Sequence, residues 1–279
     1  VIKEYIQNRE SLKLIACDLD GTLIGSDGEI GDLSVKMLKK LQDDGVIVTI
    51  ASGRMYHNCQ KYIDHLGIKH FVVSTDGGYI KNPVDSEVMS QFCINSVTSR
   101  KFFKIISEAS RNFFIISKED SIFSSKNADI EFIKFFGNRI TRIDFNSNDF
   151  EDILKIVVID NHDLIIELRK KLLKLNIQNM KFDVGPTILN PDQSVLIVRY
   201  SEVDKGKGID RVCNYYGIST DEVLVFGDWL NDIPMFKRFK HNVAPSDCDE
   251  LLRPHANYIS PYNNETDFVG RTLEKIFFC

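Results

Sequence analysis

The chain predicts an α/β fold: a doubly wound parallel sheet with a separate α+β domain inserted into it. Three observations predict it. Short, nearly unbroken apolar runs alternate with helical patterns from Leu12 to Ser74, that rhythm is lost between Pro83 and Tyr200, and it resumes at Asp204. Strands buried on both faces lose the apolar–polar alternation of a half-exposed strand, and a strand–helix–strand order covers a parallel sheet on both sides. The predicted boundaries place residues 1–82 and 201–279 in one domain and residues 83–200 in the insertion.

The first strand is Leu12-Lys13-Leu14-Ile15-Ala16-Cys17, rich in branched side chains. A helix follows over 32–44, with Leu33, Met37, Leu38 and Leu41 at helical spacing and Gly45 as its stop. Residues 46–51 read as a second buried strand, ending at Ser52-Gly53-Arg54. The spacing predicts a helix over 55–66, closed by Gly67, and a third strand over 71–74 that ends near Asp76-Gly77-Gly78. In the insertion, strands are expected at 113–116, 153–159 and 195–198, and helices at 97–109 and 164–175. Leu164, Ile165, Leu168, Leu172 and Leu175 form a core stripe, and Phe132, Phe135 and Phe136 read as core rather than as a binding platform. Beyond Asp204, residues 205–216 read as a helix stopped by Gly217 and residues 222–226 as a strand ending at Gly227-Asp228. Residues 231–239 follow as a helix, with Pro234 tolerated in its first turn. Leu251, Ile259 and an amphipathic stretch over 268–277 complete the sheet and the last helix.

A length of 279 residues allows one large domain or two smaller ones. Hydrophobic residues at 43% and charged residues at 27% describe an ordinary globular chain. The net charge of -5 argues against nucleic acid or an anionic membrane as a partner, yet a local cation could still draw a small anionic substrate. The six cysteines form no CxxC pair and match no zinc or disulfide framework, so they are expected as reduced thiols. The polar stretch Val1 to Glu10 has no apolar signal core, and no run approaches the length of a membrane span. The expected location is cytoplasmic.

Three of the apolar runs end in a polar residue: Asp18, Ser52 and Asp228. In a parallel sheet these ends share one edge, where ligands bind. Asp18 and Asp20 flank Leu19, and Gly21 lets the chain turn so that both carboxylates can face one small volume. Two acids in a tight site favour a hard divalent cation such as Mg²⁺. Each residue alone also has a plain reading. The Asp18 and Ser52 segments could be turns, Lys205 a solvated lysine, and Asp228 a helix cap, while Asp232 would favour the positive end of a helix. Together, at one sheet edge, they point to a site for a cation and a phosphate or carboxylate.

Asp18-Leu19-Asp20-Gly21-Thr22, Ser52-Gly53-Arg54, Lys205-Gly206 and Gly227-Asp228-Trp229-Leu230-Asn231-Asp232 resemble, in order, the four motifs of the haloacid dehalogenase-like (HAD) hydrolase superfamily. The insertion lies between the second and third motifs, a layout similar to the Cof-like type IIB subfamily with its α+β cap. The resemblance implies a Rossmann-like core and a Mg²⁺-dependent phosphatase of small phosphorylated metabolites, sugar phosphates foremost. It implies that Asp18 attacks phosphorus and that Asp20 acts as acid and then base. Asp18, the Asp20 backbone carbonyl and Asp228 would hold Mg²⁺. Ser52, Gly53, Lys205 and Asn231 would hold the phosphate, and Asp232 would orient Lys205 or support the metal. Three places depart from the family pattern: Asp76-Gly77 stands for Asn-Gly, Trp229 is bulky for its loop, and Val243-Ala244-Pro245-Ser246 replaces Gly-Asn-Ala. Two other readings stay open, a sugar phosphomutase on the same site and a phospho-receiver module without turnover.

Overall fold

Leu14–Cys17 forms β1, with all four side chains buried. The computed structural model describes residues 9–110, 112–117, 121–125, 128, 140–143, 152–187 and 190–278. Phe132, Phe135, Phe136 and Cys279, given roles above, lie outside the described residues. After β1 come α1 (Asp32–Asp43), β2 (Ile47–Ile50), α2 (Tyr56–Leu66) and β3 (Val72–Ser74). Gly67, in the left-handed region at φ 65°, ends α2. Then β4 (Tyr79–Lys81) and β5 (Val88–Gln91) extend β3 into a small three-stranded sheet. The chain divides between Ser90 and Gln91 and again between Glu202 and Val203. The first division falls later than residue 82 because residues 79–91 continue a sheet begun by β3.

The inserted unit, Gln91–Glu202, holds α3 (Ser96–Ala109), β6 (Phe113–Ser117), β7 (Ile122–Ser125), β8 (Ile140–Ile143), β9 (Ile153–Asn161), α4 (His162–Leu173), β10 (Met180–Pro186) and β11 (Gln193–Tyr200). Its sheet runs β10-β11-β9-β6-β7-β8. The β7–β8 pair is parallel and the other pairs are antiparallel. Alternate residues Phe113, Ile115, Ile156, Val158, Leu196 and Val198 face one way and form a cluster with Phe102 and Ile106 of α3 and Ile165, Leu168 and Leu172 of α4. Helix α4 starts two residues before the expected 164 because the Asn161 side chain caps it, accepting from the Asp163 N–H at 2.9 Å.

The remaining elements are α5 (Lys205–Tyr216), β12 (Val223–Phe226), α6 (Ile233–Arg238), β13 (His241–Ala244), β14 (Tyr258–Ile259) and α7 (Phe268–Leu273). The main sheet has the order β14-β13-β12-β1-β2 and all its pairs are parallel. Helices cover both faces. Val223 and Val225 join a core with Ile209 and Val212 of α5 and Met235 and Phe236 of α6. Phe226, pointing the other way, meets the ring of Phe268 in α7 at 5.8 Å. Val243 and Ala244, at one of the departures from the family pattern, end strand β13, and the buried leucine beyond it is Leu252 rather than the exposed Leu251. The expected helix over 231–239 is split into a 3₁₀ turn, Leu230–Asp232, and α6. The last helix is α-helical only to Leu273 and widens into a π turn over Glu274–Phe278. Cys17, Cys59, Cys93, Cys213 and Cys248 are free thiols. Among the described residues no helix is long and apolar enough to cross a membrane.

Candidate active site

The parallel register puts Asp18 one residue past the end of β1 and Asp228 two residues past the end of β12. The Asp18 N–H continues the ladder, donating to the Phe226 carbonyl at 3.0 Å. Lys205 is the first residue of α5, whose start is capped by Asp204 accepting from the Lys207 N–H at 2.7 Å. From there the fully buried Lys205 Nζ lies 2.7 Å from Asp18 Oδ1 and 2.6 Å from Asp232 Oδ1. The other Asp232 oxygen accepts from the backbone N–H groups of Asp228 at 2.9 Å and Trp229 at 3.0 Å. Asp232 thus ties the lysine to the loop that carries Asp228.

Carboxylate oxygens of Asp18, Asp228 and Asp232 lie within 4.8 Å of one another. Asp228 Oδ1 also accepts from the Thr22 hydroxyl at 2.7 Å. Gly21 makes this approach possible: a Cβ there would lie 2.2 Å from Asp228 Oδ2, and its φ of +78° suits glycine. Burial pushes the Asp18 carboxyl up, Lys205 opposes this, and the charges of Asp232 and Asp228 add to it. Burial, then Asp232, pushes Asp228 up to about 7. Burial works to lower the Lys205 ammonium, but Asp18, Asp232 and Asp76 override it and hold it above the usual lysine range. One ammonium among several carboxylates leaves surplus negative charge. The grouped carboxylates of Asp18, Asp228 and Asp232 could hold a hard divalent cation, and an all-oxygen donor set fits Mg²⁺.

Ser52 is fully buried and its Oγ accepts from the Arg54 N–H at 3.2 Å. Asn231 approaches Gly53 closely, its Nδ2 lying 3.5 Å from where a Gly53 Cβ would stand. The same Nδ2 donates to Asp76 Oδ1 at 3.0 Å. Trp229, beside Asp228, is 42% exposed.

Asp20 differs from the sequence reading. Rather than sharing one volume with Asp18, its side chain is 58% exposed and does not belong to the three-carboxylate group. Arg54 engages it twice, Nε to Oδ2 at 2.8 Å and Nη2 to Oδ1 at 2.5 Å. Alternation along a continuing strand would put residues 18 and 20 on one face, but β1 ends at Cys17 and the chain turns at Gly21, and an arginine past β2 supplies the fork that holds the Asp20 carboxylate outward. Sequence reasoning therefore missed roles for Arg54, Thr22 and Asp76. Arg54 and Thr22 sit inside motifs already singled out, so their position was the available signal.

The family model for haloacid dehalogenase-like hydrolases matches residues 15–273. The 5-amino-6-(5-phospho-D-ribitylamino)uracil phosphatase YitU of Bacillus subtilis is 23% identical, over 95% of this chain and 97% of that protein. A haloacid dehalogenase-like hydrolase from Bacteroides thetaiotaomicron superposes with a TM-score of 0.81 at 23% identity, covering 95% of this chain and 100% of the other. The HAD subclass IIB sugar phosphatase BT4131 superposes with a TM-score of 0.78 at 20% identity, covering 94% and 98%. The family match runs through both halves of the parallel sheet and the insertion between them, so the chain belongs to the haloacid dehalogenase-like hydrolases.

Proposed function

We propose that this phosphatase hydrolyses small phosphorylated metabolites, sugar and sugar-alcohol phosphates foremost, through an aspartyl-phosphate on Asp18. The observation that carries the reading is the buried Asp18, held through Oδ1 by a lysine with no exposed surface. That contact orients the carboxylate and leaves Oδ2 to attack phosphorus. Asp18 and Asp228, with the Asp20 backbone carbonyl, would hold Mg²⁺, which supplies charge neutralisation between nucleophile and phosphate.

As the Asp18–phosphorus bond forms, the bond to the leaving oxygen breaks and that oxygen takes a proton from Asp20. Both Asp20 oxygens are occupied by Arg54, so proton delivery requires that pair to open. In the second step Asp20 takes a proton from the water that attacks the same phosphorus, and Asp18 and inorganic phosphate are released. Ser52, the Gly53 backbone, Lys205 and Asn231 hold the equatorial oxygens, where the charge of the transition state resides. The ribityl phosphate in the name of the Bacillus subtilis relative supports a polyol phosphate as the class of substrate.

The test is acid quench of the wild type during turnover of p-nitrophenyl phosphate, followed by a panel of sugar and polyol phosphates. A trapped phosphoenzyme at Asp18 with steady phosphate release is expected. Isomer interconversion without phosphate release, primed by a bisphosphate, would move the reading to a mutase. A trapped phosphoenzyme that persists without turnover would move it to a receiver.

A further inference from the structure

Asp76 is a third kind of carboxylate in this site, belonging neither to the nucleophile nor to the metal group. It is 6% exposed and sits in a run of left-handed backbone: Thr75 at φ 51°, Asp76 at φ 56° and Gly77 at φ 92°. A β-branched threonine in that region is strained, and such strain persists only where the surroundings hold it. Here they do. The Thr75 N–H donates to the Arg54 carbonyl at 2.7 Å and the Asp76 N–H to the Ser52 carbonyl at 2.9 Å. Gly77 is pressed against the start of α5, where an added Cβ would meet the Asp204 carbonyl oxygen at 2.5 Å. The turn is therefore clamped between the Ser52 loop and the helix that begins with Lys205.

The clamp delivers the Asp76 carboxylate to three of the four groups assigned above to phosphate. Oδ1 accepts from Asn231 Nδ2 at 3.0 Å. The same oxygen lies 3.0 Å from the Cβ position of Gly53. Its charge also acts on Lys205. One hydrogen of the Asn231 amide is thereby committed to Asp76, whose carboxylate stands beside groups assigned above to phosphate.

We propose that Asp76 is a positioning residue that orients Asn231 and, by its charge, weakens the hold of the site on phosphate, so that the product leaves. This rests on the phosphate-site reading given above. In the related pattern an asparagine occupies this place, which would supply the same hydrogen bond without the charge.

The test is calorimetric titration of inorganic phosphate into the Mg²⁺-loaded wild type, Asp76→Asn and Asp76→Gly, with circular dichroism to verify folding and steady-state kinetics on p-nitrophenyl phosphate. Asparagine and glycine adopt the left-handed region most readily, so both variants suit the turn. Both are expected to bind phosphate more tightly, Asp76→Asn by about tenfold, as removal of one charge a few ångströms away implies. KM should fall with Kd while kcat does not rise, a split that a merely structural aspartate would not produce. Equal or weaker phosphate binding by folded Asp76→Asn overturns the proposal, and if that variant does not fold, Asp76→Gly decides in the same way. The titration needs no turnover. A wild type that binds phosphate but hydrolyses no ester therefore counts against the hydrolytic reading alone, and the affinity ratio still judges Asp76.

Discussion

The two units treat buried charge differently. The inserted unit buries the cations Lys155 and Arg199, but Asp183, which pairs with Arg199 at 2.8 Å, stays 33% exposed, and the cluster packed by α3 and α4 is apolar. In the unit that carries the parallel sheet, Lys205 and Asp232 have no exposed side-chain surface and Asp18 has 6%. Removing ions from water costs several kcal/mol each, and their attraction only partly repays it. A fold selected for stability alone would place apolar side chains there. The difference teaches that the sheet edge is arranged for chemistry, whereas the inserted unit is held together by ordinary packing.

The comparison breaks if buried charge proves dispensable. Asp18→Asn keeps shape and removes the nucleophile, so turnover should fall on the order of 10⁵-fold, while a thermal melt shows a folded protein. Chelation should abolish activity, with Mg²⁺ restoring it and Ca²⁺ restoring it poorly, because Ca²⁺ accepts more ligands and looser geometry. Full activity after verified metal stripping would remove the need for the surplus carboxylates. Asp20→Asn should cost about 10²–10⁴-fold with alkyl phosphates and less with p-nitrophenyl phosphate, whose leaving group needs little protonation. Rapid quench should then show phosphoenzyme accumulating, since its hydrolysis still lacks the base.

The inserted unit sharpens the contrast from the other side. Leu172 is fully buried in its cluster, so Leu172→Ala should cost roughly 2–5 kcal/mol in denaturant unfolding. The kcat per folded molecule should stay unchanged. The smallest effect is expected at the exposed Lys171–Glu167 pair at 2.9 Å, where Lys171→Ala should leave both melting temperature and activity where they were.

Strands β1, β2 and β12 were legible because their side chains are apolar on both faces, and the polar residues that end them followed from parallel register. Strand β13 was not, because His241 and Asn242 interrupt its apolar character. Asn242 is tolerated there since its Nδ2 donates to the carbonyls of Phe236 and Phe239 and its Oδ1 accepts from the Asn257 N–H. Those partners exist only once the chain is folded. Asp20 shows a similar limit. Its spacing from Asp18 was visible, but the arginine that turns its carboxylate outward lies 34 residues away. Asp76 was visible as a departure from the family pattern, whereas its left-handed backbone and its bond to Asn231, 155 residues on, were not.

Trp229 turns the architecture of this loop into an optical property. It is the chain's single tryptophan, it is 42% exposed, and its backbone N–H is bound to the same carboxylate that holds Lys205. Intrinsic emission excited at the indole band therefore reports from one place, the residue beside Asp228. A cation settling on Asp228 should shift that emission in the native chain without any attached dye, and loading of the site can be followed in real time in stopped flow before a single bond is broken.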